Sequence, residues 1–112
     1  MKSKSTRKKR SDRNHVIYVI RNSRNGQEYI GLTALAFRGN ANRTITRRFQ
    51  KHVQRALTED KNWGLCRAIR KYGVAAFTIS VKEIVRGKAE AHQREAVLIN
   101  TLKPKLNTHA AA

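Results

Sequence analysis

His15-Val16-Ile17-Tyr18-Val19-Ile20-Arg21 and, beyond Asn25-Gly26, Gln27-Glu28-Tyr29-Ile30-Gly31-Leu32 decide how this chain folds. The unbroken β-formers from Val16 to Ile20 read as a strand covered on both faces. Asn25-Gly26 offers the φ > 0 residues of a tight reversal, so a second strand over 27–32 is expected to fold back on the first. The hairpin carries Tyr18 and Tyr29 on neighbouring strands. Two readings stand at this point: the rings pack the hairpin as cross-strand aromatics, or their hydroxyls converge at the sheet surface.

Outward from the hairpin, 33–42 reads as a loop with a short turn near 34–37. Ile45, Phe49, Val53, Ala56 and Leu57 then recur at helical spacing over 44–57, with Thr44 as the expected N-cap. A second helix is expected after the caps Asp60 and Asn62, carrying Leu65, Ala68, Ile69 and Tyr72. Gly73 is placed to end it in the left-handed conformation. Residues 77–85 alternate with Phe77, Ile79 and Val81 on one face, predicting a third strand. A last helix over 88–102 is stopped by Pro104. The order β-β-α-α-β-α predicts an α/β fold, a small sandwich whose three-stranded, mostly antiparallel sheet is flanked by three helices.

The 112 residues fit one domain able to bury a core without staples. Lys plus Arg number 25 against 7 Asp plus Glu, a formal charge of +18. Such an excess opposes compaction unless a polyanion is the usual partner, and nucleic acid leads that class. A membrane partner is not expected, since no apolar run approaches the ~20 residues of a span. No signal peptide is legible either, because no apolar segment follows the charged first residues. The single cysteine, Cys66, reads as a core thiol in a reducing compartment. His15, His52, His92 and His109 are scattered and lack a second cysteine, which gives a zinc site no support.

Glu95 breaks the pattern of the last helix. It shares a stripe with Ala91, Leu98 and Leu102, and a core-facing carboxylate costs several kcal/mol unless paired or bound to a cation. It therefore either pairs with one of the many arginines or serves as a hard oxygen ligand for a divalent cation at a phosphodiester. Arg48 and His52, four residues apart, fall on one helical face. There Arg suits a phosphate oxygen and His a proton relay, but such a pair also occurs on ordinary solvated faces. Asn107, just past the last helix, reads alone as a cap or turn residue.

Together these segments resemble the GIY-YIG nuclease family. The match runs in order through Val16-Ile17-Tyr18, Tyr29-Ile30-Gly31, Arg48-Phe49-Gln50-Lys51-His52, Ala68-Ile69-Arg70-Lys71-Tyr72-Gly73, Glu95 and Lys103-Pro104-Lys105-Leu106-Asn107. The resemblance implies a metal-dependent DNA endonuclease that leaves 5′-phosphate and 3′-hydroxyl ends. It implies Tyr18 and Tyr29 as active-site hydroxyls, with Tyr29 favoured as the base. Arg48 becomes the phosphate clamp, His52 its polar partner, and Asn107 a site-shaping residue. Glu95 becomes the single ligand of one Mg²⁺ (or Mn²⁺). The chain departs from the family pattern at Val16, where the first motif begins with glycine, and at Leu32, where some relatives carry lysine. An arginine from 38–47 is the expected substitute.

The expected organisation is a basic, disordered arm over 1–14, a catalytic domain over 15–107 and a tail over 108–112. Double-stranded DNA is the expected partner, held by Lys8, Lys9 and Arg10 of the arm and by Arg38, Arg43, Arg47, Lys51 and Arg55. No separate reading module is legible, so sequence preference is expected from the arm, the 33–42 loop, a partner or a homodimer that cuts both strands. The expected setting is the cytoplasm of a bacterial or phage-infected cell. The role is a free-standing homing nuclease ahead of a restriction, repair or phage enzyme. Two rivals remain: a non-catalytic DNA- or RNA-binding module retaining the nuclease shape, and an RNA-binding protein of ribosomal type. The first requires a missing catalytic residue, and the second leaves Glu95 unexplained.

Overall fold

A computed structural model describes residues 13–59 and 63–107. The elements are β1 (Asn14–Asn22), β2 (Glu28–Ala34), α1 (Ala41–Thr58), α2 (Gly64–Tyr72), β3 (Phe77–Arg86) and α3 (Lys88–Leu102). The sheet is fully antiparallel in the order β2-β1-β3. Its centre is β1, which explains the unbroken apolar run: Val16, Ile17, Tyr18 and Ile20 are all buried.

Alternation along β1 sorts its side chains between two layers. Val16, Tyr18 and Ile20 join Ile45, Ala56, Leu65 and Ile69 beneath α1 and α2. Ile17 meets Ile30 and Leu98 beneath α3. The register sets Tyr18 opposite Gly31 and Ile20 opposite Tyr29, so both tyrosines lie on the α1–α2 face. Leu32 sits opposite Ile17 and packs in the α3 layer, away from that face. On the other side of β1 the register slips between Ile17 and Tyr18, which pair with Glu83 and Val81. Lys82 is thus the extra residue of a bulge directly beside Tyr18, a device that re-aims side chains next to functional sites.

Several local expectations are corrected. At the hairpin only Gly26 takes a positive φ, 77°. The reversal is longer than a tight turn, closed by Asn22 N donating to Gln27 O at 2.9 Å and Gly26 N to Asn22 O at 2.7 Å. Helix α1 begins at Ala41, and its N-cap is Asn40, whose Oδ1 accepts from Arg43 N at 3.0 Å. Thr44 lies inside the helix and is buried. Its hydroxyl donates to Asn40 O at 2.8 Å and accepts from Ala36 N at 3.0 Å, tying the preceding loop to the helix. Gly73 ends α2 with φ 86° and ψ 155°, an extended positive-φ conformation outside the left-handed helical region. Asp60 and Asn62 lie outside the described residues. Helix α3 spans 88–102 as expected, but Leu102 emerges 48% exposed while Ala91 and Leu98 stay buried. Among the described residues no helix is long and apolar enough to cross a membrane.

Candidate active site

The functional side chains meet where the tyrosine face of β1 and β2 opens between α1 and the chain end. Tyr18 Oη lies 3.0 Å from His52 Nε2 in a buried hydrogen bond that joins β1 to α1. Tyr29 completes the cluster, its ring 6.3 Å from that of Tyr18 and 5.3 Å edge-on from the His52 imidazole. The rings pack as cross-strand aromatics, and the hydroxyls do converge, though Tyr18 is buried and not at an open sheet surface. The rings are core contacts, and their hydroxyls share one polar spot.

Two features hold the phenols in place. A Cβ on Gly31 would run into the Tyr18 ring and hydroxyl, so the glycine lets that ring lie flat across β2. Asn107 then finishes the free edge of the same strand. Its Oδ1 accepts from Ile30 N and its Nδ2 donates to Ile30 O, both at 2.8 Å. A side-chain amide here imitates a neighbouring strand, and it fixes the residue that follows Tyr29. The role of Asn107 is structural support for the site, beyond a cap or turn. With Tyr29, His52, Trp63, Leu65, Cys66 and Leu106 it also lines a hollow of about 110 Å³. No pattern in the sequence pointed to Trp63 in this wall. Its nearest motif, the Ala68 to Gly73 segment, lies further along α2.

The opposite wall is loosely held. Arg48 Nε is buried with no hydrogen-bond partner among the described residues. A buried unpaired donor is costly, so its presence beside a polar cluster calls for a ligand. Glu95 has a side chain 21% exposed, and its sole ionic neighbour among the described residues is His92, 3.9 Å away. Among the described residues no arginine, the partner that the structural reading allowed, pairs with Glu95. Burial raises its carboxyl above the ordinary value, with His92 opposing. The Glu95 charge also reaches both phenols and pushes their ionisation up.

Burial dominates the remaining electrostatics. It raises Tyr18 strongly, reinforced by Tyr29, while Arg48 pulls the other way. Tyr29 is raised too, by burial first, with Arg48 the leading opposing influence. His52 is pushed down to about 4 by burial, then by Arg48 and Arg55, so it is neutral at physiological pH. Both phenols are thus poor bases unless positive charge arrives beside them.

No group of three or more His, Cys, Asp or Glu side chains gathers among the described residues. Mg²⁺ commonly takes one or two carboxylates and completes its shell with water and substrate phosphate. A half-buried carboxylate whose sole ionic neighbour among the described residues is His92, and whose charge reaches both phenols, suits that pattern. The residues fit a cation shared with a phosphodiester and do not form a closed protein cage.

The expected DNA contacts separate into groups. Arg47 and Lys51 join Arg48, Thr33 and Thr44 around a cavity of about 290 Å³. Arg43 stacks over the Phe37 ring at 4.6 Å, and Arg38 is exposed in the turn beside it. Arg55 is half-buried beside His52. Of the 38–47 arginines, Arg47 is the one that lines a cavity together with Arg48. Lys8, Lys9 and Arg10 lie outside the described residues.

The GIY-YIG catalytic domain model matches residues 14–107. Among solved structures, the catalytic domain of the homing endonuclease I-TevI is 26% identical, with a TM-score of 0.63, covering 88% of this chain and 98% of that one. A mutant form of the catalytic domain of intron endonuclease I-TevI is 24% identical, with a TM-score of 0.64, covering 88% and 94%. No curated protein sequence matches the chain.

Proposed function

The chain belongs to the GIY-YIG family, and from that premise we propose that it is an endonuclease hydrolysing phosphodiester bonds in duplex DNA to 5′-phosphate and 3′-hydroxyl ends. The observation that carries this reading is the meeting of two wants. An Arg48 Nε without a hydrogen-bond partner among the described residues and a carboxylate whose sole ionic neighbour there is His92, 3.9 Å away, both act on the same phenol pair. A scissile phosphate with its counter-cation answers both.

In this mechanism Arg48 binds a non-bridging oxygen and neutralises the charge that grows in the transition state. Tyr29 takes the proton of the attacking water, because Tyr18 is only 1% exposed and already engaged with His52. Arg48 lowers the cost of the Tyr29 phenolate. Tyr18 and the neutral His52 orient it and offer its proton an exit. A divalent cation on Glu95, when bound, supplies Lewis acidity at the phosphate and the positive charge that makes a phenol a competent base. Binding is electrostatic along α1, and a +18 chain binds duplex with steep salt dependence. One site cuts one strand, so a double-strand break requires a second copy or a second encounter. A homing role is the biological setting we favour, since the similar solved domains come from a homing endonuclease.

The test is incubation of the purified protein with supercoiled plasmid and Mg²⁺, followed by ligation of the products without prior kinase treatment. Nicked or linear DNA with ligatable ends is expected. Cleavage that survives EDTA, or persists undiminished in Glu95→Ala, overturns the assignment.

A further inference from the structure

Phe37 is a large apolar ring kept out of the core. It belongs to neither apolar cluster and is 40% exposed. It opens the turn Phe37–Gly39 between β2 and α1, where three successive residues hold positive φ: 53° at Phe37, 56° at Arg38 and 85° at Gly39. Residues with a Cβ rarely adopt such values, and consecutive ones persist where the surroundings impose them, commonly at ligand-contacting sites. The turn is anchored from behind. Asn40 N donates to Phe37 O at 3.2 Å, and the Thr44 hydroxyl ties Ala36 to α1.

The surroundings of the ring are cationic. Arg43 lies over it at 4.6 Å and limits its orientation. The ring borders two hollows at once, the 290 Å³ cavity of Arg47, Arg48 and Lys51 and a second of about 510 Å³ beside Arg43 and Gln50. An exposed aromatic tip framed by guanidiniums matches the chemistry of a side chain that enters a base step while its neighbours hold the flanking phosphates.

We propose that Phe37 is an unstacking wedge, inserting into duplex DNA at a base step beside the phosphate held by Arg48. The inference rests on the nuclease reading for the identity of that phosphate. Arg43 and Arg47 hold the phosphates on either side of the opened step. Positional preference then comes from deformability, with pyrimidine–purine steps favoured because they unstack most easily. The wedge accounts for selectivity within a chain whose other expected contacts are phosphate contacts.

The test places 2-aminopurine at successive positions of a cleavable duplex and reads its fluorescence on binding to the non-cutting Glu95→Gln protein. A rise confined to one step is expected, lost when Phe37→Ala is added and kept with Phe37→Leu, which still presents an apolar wedge. In protein with Glu95 intact, Phe37→Ala is expected to slow cleavage about tenfold, the scale of one lost base–aromatic contact. A mismatch at the same step should restore the rate. Fluorescence unchanged by Phe37→Ala, or flat at every position with Phe37 present, overturns the wedge. If the intact protein cuts no DNA, the nuclease reading falls, while the fluorescence series still decides the wedge by itself.

Discussion

The two walls of the site are built to opposite rules. The tyrosine wall is locked: Tyr18 is bonded to His52, its ring lies across Gly31, and Asn107 clasps Ile30 with both amide groups. The Arg48–Glu95 wall is left wanting: among the described residues the buried Arg48 Nε has no hydrogen-bond partner, and the sole ionic neighbour of Glu95 is a histidine at 3.9 Å. The locked wall sets geometry in the free protein. The open wall holds the groups that, on the proposed reading, substrate and cation would satisfy. Substitutions on the two walls should therefore separate stability from activity.

The largest effect is expected at Glu95. Glu95→Gln should cut cleavage by roughly 10³-fold or more, the scale of removing a metal's anchor from a phosphoryl-transfer site. Its fold should not suffer. Burial raises the carboxyl, so the ionised form is disfavoured in the native state, and this contribution weakens stability as pH rises through the ordinary carboxylate range. The neutral amide should match or exceed wild-type Tm at pH 7. A clear loss of Tm would show Glu95 to be a structural ion-pair member. Next, Arg48→Ala should lower the single-turnover rate by roughly 10²- to 10³-fold, the scale of losing one charge-stabilising donor. The same change should move the His52 titration upward, because Arg48 is one of the charges holding it down. An NMR titration of the imidazole reads this without any cleavage.

The locked wall should answer in stability. His52 has a native pKa near 4 against an ordinary 6.5. The unfolded chain therefore binds the extra proton first as pH falls. Its contribution is complete above about pH 6.5 and lost on descending towards 4, a change of about 3 kcal/mol at most. Denaturant unfolding across that window should show the slope, and His52→Gln should flatten it. A smaller effect is expected from Asn107→Leu, which strips two hydrogen bonds from Ile30 and should cost about 1–2 kcal/mol. Activity should fall with it, through a less fixed Tyr29. Faster hydrogen exchange at the Ile30 amide locates the damage, and unchanged exchange there would break the clasp argument.

Much of this was legible in the chain itself. The run from Val16 to Ile20 announced a strand covered on both faces, which the central position of β1 explains, and Pro104 marked the end of α3, because both are local signals with one strong physical cause. The grouping of Tyr18, Tyr29, Arg48, His52 and Glu95 came from the family resemblance; the structure brings Tyr18, Tyr29 and His52 into contact and leaves Arg48 and Glu95 within electrostatic reach of both phenols. What was not legible depends on contacts between distant segments. Thr44 looks like a cap, yet Asn40 takes that place and Thr44 is buried to hold Ala36. Asn107 looks like a turn residue until β2 lies beside it. Arg48 looks like any cation on a basic helix, and only packing shows that its Nε has been taken from water without a partner among the described residues. Phe37 looks like part of an ordinary loop, since nothing local announces a positive φ outside glycine.

The Asn107 clasp also has a meaning in time. The edge of β2 is completed by a residue 77 positions downstream of Ile30. During synthesis the tyrosine hairpin, α1 and α2 are all made before the segment that secures Tyr29 leaves the ribosome. A nascent or truncated chain that stops at the end of α3 carries Tyr18, Tyr29, Arg48, His52 and Glu95 but lacks the edge that holds them in register. The proposed cutting site is therefore completed only once residue 107 has been made, after every side chain that would carry its chemistry.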